Sequence, residues 1–511
     1  MGGFKHLFRK KKTFTYKQVP DFKLITELSQ ISGIFDWVFN PDYDIAQTCA
    51  QTIHRVVTSP AILNNQTLYD NLGTIKLKKK DLARFYIFDS DIQQSLLCVA
   101  SMNYDGYVRE ETLHLLTEFS NPKAFLFTLF RLADWVPSIR QIAQSNISQF
   151  IQNQDPDFLL KNREIIEWLL KVARVDLKVI YKEITEYIFS EKHIDEIIQN
   201  IDKYEAGERY YIYRKIISFR RLNTHILEKM WVDKNYLVRL LATQNTDLIK
   251  QEGILDKLLD DKSQKIRHYA INSIPITHLA QFQPKLEIAI FDNSAAIRTK
   301  ARTLLSKTGQ VNLPQRYREE VLKNPKPGSI IGLAEVGDKT DIEVVMKFLQ
   351  SVFPKQRTAA LLALAMLDYD LAKQQAFELL NDLSNGVKKA CLKVVTKEKS
   401  AADLAKMRGL YDQANIDTKK FILKAINEYG GWSIVGDFLR AIKHSNVEIK
   451  NLAFAFLSKW HNYSIKLAAA QKETDKNYVL NIYKELDIEK LDLPQSIQKI
   501  VDDIPFIFRE K

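Results

Sequence analysis

Apolar residues recur along this chain at helical spacing, and the recurrence itself recurs. Val345, Phe348 and Leu349 fall at i, i+3, i+4, and so do Ala376/Leu379/Leu380, Met407/Leu410/Tyr411 and Phe438/Ala441/Ile442. Each set starts 31 residues after the last. Such a stripe is the buried face of an amphipathic helix. A second stripe pairs a small residue with an aliphatic one four positions on: Cys49/Ile53, Ala143/Ile147, Ala270/Ile274, Ala301/Leu305, Ala360/Leu364, Cys391/Val395 and Ala453/Leu457. A small residue at that point predicts a first helical turn packed closely on a neighbour.

Between the two stripes lies a seven-residue phrase with a polar start, an apolar sixth position and a basic seventh. It reads DWVPSIR at 134–140, DKNYLVR at 233–239, DKSQKIR at 261–267 and DNSAAIR at 292–298. Looser copies are NPDYDIA at 40–46, NYDGYVR at 103–109, SVFPKQR at 351–357, DLSNGVK at 382–388, QANIDTK at 413–419 and HSNVEIK at 444–450. Seventh positions Arg357, Lys388, Lys419 and Lys450 are 31 residues apart, as are Arg109/Arg140 and Arg267/Arg298. The period predicts two helices per repeat with the phrase at the turn between them. Stacking about 14 such antiparallel pairs buries one continuous core, an all-α solenoid in a HEAT/armadillo-like superhelix.

The phrase followed by a small residue resembles the short bacterial HEAT-like repeat of the phycobilisome-lyase type. Its best single stretch runs from Gly332 to Val395, including LAEVGDKTDIEVVMKFL, and the resemblance covers roughly residues 40–460. It implies an architecture rather than an activity, because the matching residues are those any such solenoid needs. Between about 145 and 225 the phrase is hard to align, and extra or longer helices are expected there.

Punctuation divides the array. Residues 308–328 collect prolines, glycines and an Asn-Pro step that disfavours helix. The expected order is a basic tail at 1–20, an N-terminal arm at 21–307, a break at 308–328, a regular arm at 329–470 and a helical cap at 471–511. Sixteen glycines and 14 prolines in 511 residues are too few for a turn-rich β fold or a low-complexity linker.

The net charge of +12 invites a nucleic-acid reading until it is located. Residues 1–20 hold Lys5, Arg9, Lys10, Lys11, Lys12 and Lys17 with no acid, which is half of the excess. The body is close to balanced, so a nucleic-acid partner is not expected. Phe4, Leu7 and Phe8 at i, i+3, i+4 among those cations fit a weak contact with an anionic membrane surface, made by Lys5, Arg9, Lys10, Lys11 and Lys12. A disordered, solubilising terminus accounts for the same residues.

The chemistry-bearing residues form no constellation. Cys49, Cys98 and Cys391 are far apart, the nine histidines make no HExxH or Cys/His cluster, and no phosphate loop or nucleophile elbow is present. No metal, cofactor or small-molecule substrate is expected. The acid–base pairs Asp134/Arg140, Asp233/Arg239, Asp261/Arg267, Asp292/Arg298 and Asp382/Lys388 read as a structural ladder. In it the aspartate accepts backbone N–H groups and the cation bridges turns. The expected function is a non-catalytic scaffold or adaptor for an unidentified protein partner, cytoplasmic or peripheral at a membrane's inner face. Alternatives are a phycobilin-lyase-like enzyme or chaperone, and a HEAT-like DNA-binding protein of the alkylpurine glycosylase kind.

Overall fold

The computed structural model describes residues 18–59, 70–119, 122–248, 253–309, 311–464 and 471–508. The tail cations Lys5, Arg9, Lys10, Lys11 and Lys12 lie outside them. Among the described residues every regular element is a helix, and no strand occurs. No described helix is long and apolar enough to cross a membrane.

The phrase sits where the period puts it. In 292–298, Asp292 to Ser294 make the turn and Ala295–Leu305 is the helix that follows. The helices Pro137–Phe150, Tyr236–Gln244, Gln264–Asn272 and Asn385–Val395 start at the same place in their phrases. The sixth-position residues Val108, Ile139, Val238, Ile266, Ile297, Val387 and Ile449 are buried. So is every small-residue slot: Cys49, Ala143, Ala270, Ala301, Ala360, Cys391 and Ala453 are fully enclosed. A larger side chain there has no space, which is why alanine and cysteine interchange. Burial pushes the Cys49 and Cys391 thiols up to about 12, so both stay protonated at neutral pH and serve as small apolar groups.

The described residues form two compact units that divide between Asn245 and Thr246. In the first, residues 151–204 depart from the regular pattern. Pro156–Lys161 and Arg163–Trp168 are helices of six residues each, so this region has extra helices, although not longer ones. The second unit holds the most regular repeats and ends in helices Glu473–Lys484 and Gln495–Ile507. Phe508 closes it, fully buried against Trp432 and Trp460.

The division falls at 245/246 and not within 308–328. Proline at the first positions of Leu313–Lys323 and Pro327–Val336 opens those helices, where its missing N–H leaves nothing unsatisfied. The segment is also gripped from both sides. Arg298 and Arg302 both bind the Glu335 carboxylate, and the Tyr317 hydroxyl donates to the Ile290 carbonyl beneath Gly332. Residues 290–336 are thereby knitted into one body.

Candidate interaction surface

The charged residues of the phrase build a relay from turn to turn. Arg109 donates from Nε and Nη2 to both oxygens of Asp134, at 2.8 and 2.9 Å, and from Nη1 to the carbonyls of Asn103 and Tyr104 in its own turn. Asp134 in turn accepts the Val136 N–H at 3.0 Å. Arg267 repeats this with Asp292 at 2.7 and 3.0 Å, and Arg357 with Asp382 at 2.6 and 2.8 Å. The aspartates of both rungs accept the N–H two residues on, from Ser294 and Ser384. Each cation therefore ties its own turn to the carboxylate that shapes the next one. A bidentate guanidinium–carboxylate pair is the strong form of this contact.

The partners differ from the pairs within one phrase. Arg140, Arg239, Arg267 and Arg298 each reach the backbone carbonyl of the aspartate in their own phrase, at 2.7–2.8 Å. The carboxylate of that aspartate is aimed the other way. Asp233 and Asp261 accept the N–H groups of Asn235 and Ser263. Lys388 is buried, with its ammonium 5.7 Å from the centre of the Phe421 ring. Other rungs pair a phrase residue with one outside the phrase, or two residues outside it. Arg209 binds Asp233, Arg298 binds Glu335 where the pattern has no aspartate, Arg318 binds Asp341, and Arg408 binds Asp437. A 31-residue period less the six residues from first to seventh position places the acid 25 after its arginine at Arg109/Asp134, Arg267/Asp292 and Arg357/Asp382, but these four rungs are spaced by 24, 37, 23 and 29 residues and escape that rule.

Burial alone would raise the Asp134 carboxyl, but the Arg109 hydrogen bond, the Arg131 charge and the Val136 N–H outweigh it and hold it below the ordinary value. The same balance lowers Asp382 beside Arg357 and Glu335 beside Arg298 and Arg302. Depressed carboxylates stabilise the fold at pH above their unfolded value of about 4, and that contribution is lost as pH falls through the folded values. Acid titration followed by far-UV circular dichroism is expected to show helix melting that sets in below about pH 4. An unchanged helical signal down to about pH 2 would mean that the rungs contribute nothing.

With its charges engaged inward, the turn edge presents apolar side chains outward. Tyr104 and Trp135 occupy the second position of adjacent phrases in the first unit, and both are exposed, Trp135 at 73%. In the second unit Val352 and Leu383 share that position at 83% and 96% exposure, with Phe353 beside them. Ile416 and Val447 repeat the pattern at the fourth position. Members of each pair stand on neighbouring turns, joined by Arg109–Asp134, Arg357–Asp382 and Lys420–Glu448. Burying such residues inside the phrase would be simple, since the sixth position does so at Val108, Ile139, Val238, Ile266, Ile297, Val387 and Ile449.

Concavities lie in both units, and one of about 680 Å³ in the second is lined by Asp261, Arg267, Asp292, Glu320 and Lys326 among others. In the first unit a cleft of about 310 Å³ is lined by Asp157, Lys161, His193, Tyr204 and Glu208 among others. Its acids are largely engaged, Asp157 with Lys161 and Glu208 with Arg163. In the second, a shallow and mostly apolar groove of about 400 Å³ crosses consecutive turns, lined by Pro327, Ile331, Pro354, Lys355, Ala359 and Gly386 among others.

No protein-family model matches the chain, and no curated protein matches it. Solved structures do. Kap121p bound to Ste12p aligns at 11% identity over 94% of this chain and 64% of that one, with a TM-score of 0.35. The karyopherin Kap121p bound to the extreme C-terminus of the protein phosphatase Cdc14p aligns at 11% over 94% and 65%, with a TM-score of 0.33. The Kap95:Nup1 complex aligns at 11% over 93% and 73%, with a TM-score of 0.34. The chain thus spans just under two thirds of the length of the Kap121p chains. Likeness at this level carries no conclusion about a partner or an activity.

Proposed function

We propose that this chain is a non-catalytic scaffold that holds a partner protein along the turn edge of its repeats. One observation carries the reading: large apolar side chains recur at fixed, exposed positions of the phrase, at Tyr104/Trp135, Val352/Leu383 and Ile416/Val447. Scattered exposed apolar residues need no explanation, but rows of them mark interaction surfaces. Aromatic residues among them are the kind enriched at protein interfaces. The acids and bases of the phrase support the same reading, because they are spent on joining turns.

Site-specific photo-crosslinking in the cell that makes the protein tests this. A photoreactive amino acid at Trp135 or Leu383 is expected to capture a discrete protein, and the same group at the exposed Gln374 is not. Absence of any adduct at both edge positions would overturn the scaffold reading.

A further inference from the structure

The groove of the second unit has a sign as well as a shape. It crosses the turns at Asn293, Pro327, Pro354 and Ser384, and Val352, Phe353 and Leu383 stand exposed on the same turns. Lys326, Lys355 and Lys389 are exposed on these turns and the helix starts after them. The acids of these turns, Asp292 and Asp382, are each gripped by an arginine, Arg267 and Arg357. The groove is therefore apolar with Lys355 in its lining and two further lysines nearby, Lys326 bordering an adjoining cleft that also holds Glu287 and Glu320. The partial positive charge of the helix starts beneath it has the same sign as the lysines.

We propose that this groove docks an extended acidic segment of the partner protein, with apolar side chains seated between the turns and carboxylates facing Lys326, Lys355 and Lys389. The inference rests on the scaffold reading and adds the place and the chemistry. Stacked helices lie roughly 8–10 Å apart, so four turns span about 25–30 Å. An extended strand rising about 3.3 Å per residue covers that with eight or nine residues. Charge argues against two other occupants. The chain's own segment 1–20 carries cations and no acid. A second copy docked groove to groove would set lysine against lysine.

The test is peptide display on the full-length protein. A random library of peptides about a dozen residues long is selected on the wild type, and the enriched peptides are synthesised and titrated by fluorescence anisotropy. Enrichment of Asp or Glu interleaved with Leu, Ile or Phe is expected. Affinity should fall about tenfold or more on the combined variant Lys326→Glu, Lys355→Glu, Lys389→Glu, and again on Phe353→Ser, Leu383→Ser. All five positions are exposed, and circular dichroism checks that the variants stay folded. Enriched peptides that bind both variants as tightly as the wild type would overturn the groove while leaving the scaffold reading standing. Failure to enrich any acidic peptide would also overturn it, and the crosslinking experiment then decides the scaffold reading independently. A fluorescent oligothymidylate serves as the counter-probe: tight binding lost in the lysine variant would assign the face to nucleic acid and overturn the proposal.

Discussion

Asp134→Ala is expected to lower the stability of the first unit by about 3–5 kcal/mol, the cost of removing one partner from a buried ion pair. Asp134 is fully enclosed and binds two arginines that are themselves buried, Arg109 and Arg131, at 2.8 and 3.0 Å. Without the carboxylate, two guanidinium groups in a low-dielectric interior lose its counter-charge, and the Val136 N–H loses its acceptor. Asp382→Ala provides the comparison. Its rung has one arginine, Arg357, which is partly open to solvent, so water replaces part of the lost contact and the cost should be smaller. Urea unfolding followed by circular dichroism measures both, and hydrogen exchange should localise the Asp134→Ala loss to 90–150. Equal effects of the two substitutions would mean that burial does not set the strength of a rung.

Gly328→Ala should destabilise the second unit by about 1–3 kcal/mol, the usual cost of overpacking a tight contact. Gly328 lies in the first turn of Pro327–Val336, where that helix approaches the turn of the preceding repeat. A methyl group there would overlap the carbonyl oxygens of Phe291 and Asp292. These are backbone atoms and cannot rotate aside, so the helix start itself must move. Gly207, inside helix Ala206–Ser218, has open space at the same point. Gly207→Ala is expected to be neutral or stabilising by a few tenths of a kcal/mol up to about 1, since alanine favours helix and restricts the unfolded chain. The thermal melting points of both variants and the wild type check this, and a destabilised Gly207→Ala would refute the contrast.

Much of the architecture was legible in the residues. The stripe at Val345/Phe348/Leu349 and its successors marked the first helix of each pair, and the small slots such as Ala301 and Cys391 marked the second, because both report which face is buried. The charged positions of the phrase were legible, but not which residues they pair with. Asp134 and Arg140 share a phrase, yet the Asp134 carboxylate is held by Arg109 from the phrase before. Six residues bring Arg140 back to its own turn's carbonyls, while one repeat less those six brings Arg109 across to the next. Arg209 escapes the pattern because its phrase, KYEAGER, carries Glu208 where the apolar sixth position should be.

By itself, then, the sequence determined helix, period and buried face, since these depend on spacing within a few residues and on a repeat that any copy can reveal. Tertiary structure alone decided the rest. Whether Pro314 and Pro327 end an arm or start helices depended on Arg298, Arg302 and Tyr317 reaching across from other repeats. Whether Val352, Leu383, Ile416 and Val447 are core or surface depended on which way each turn faces once it is stacked. The groove exists only as the space between side chains from four separate turns, and no local pattern encodes a space.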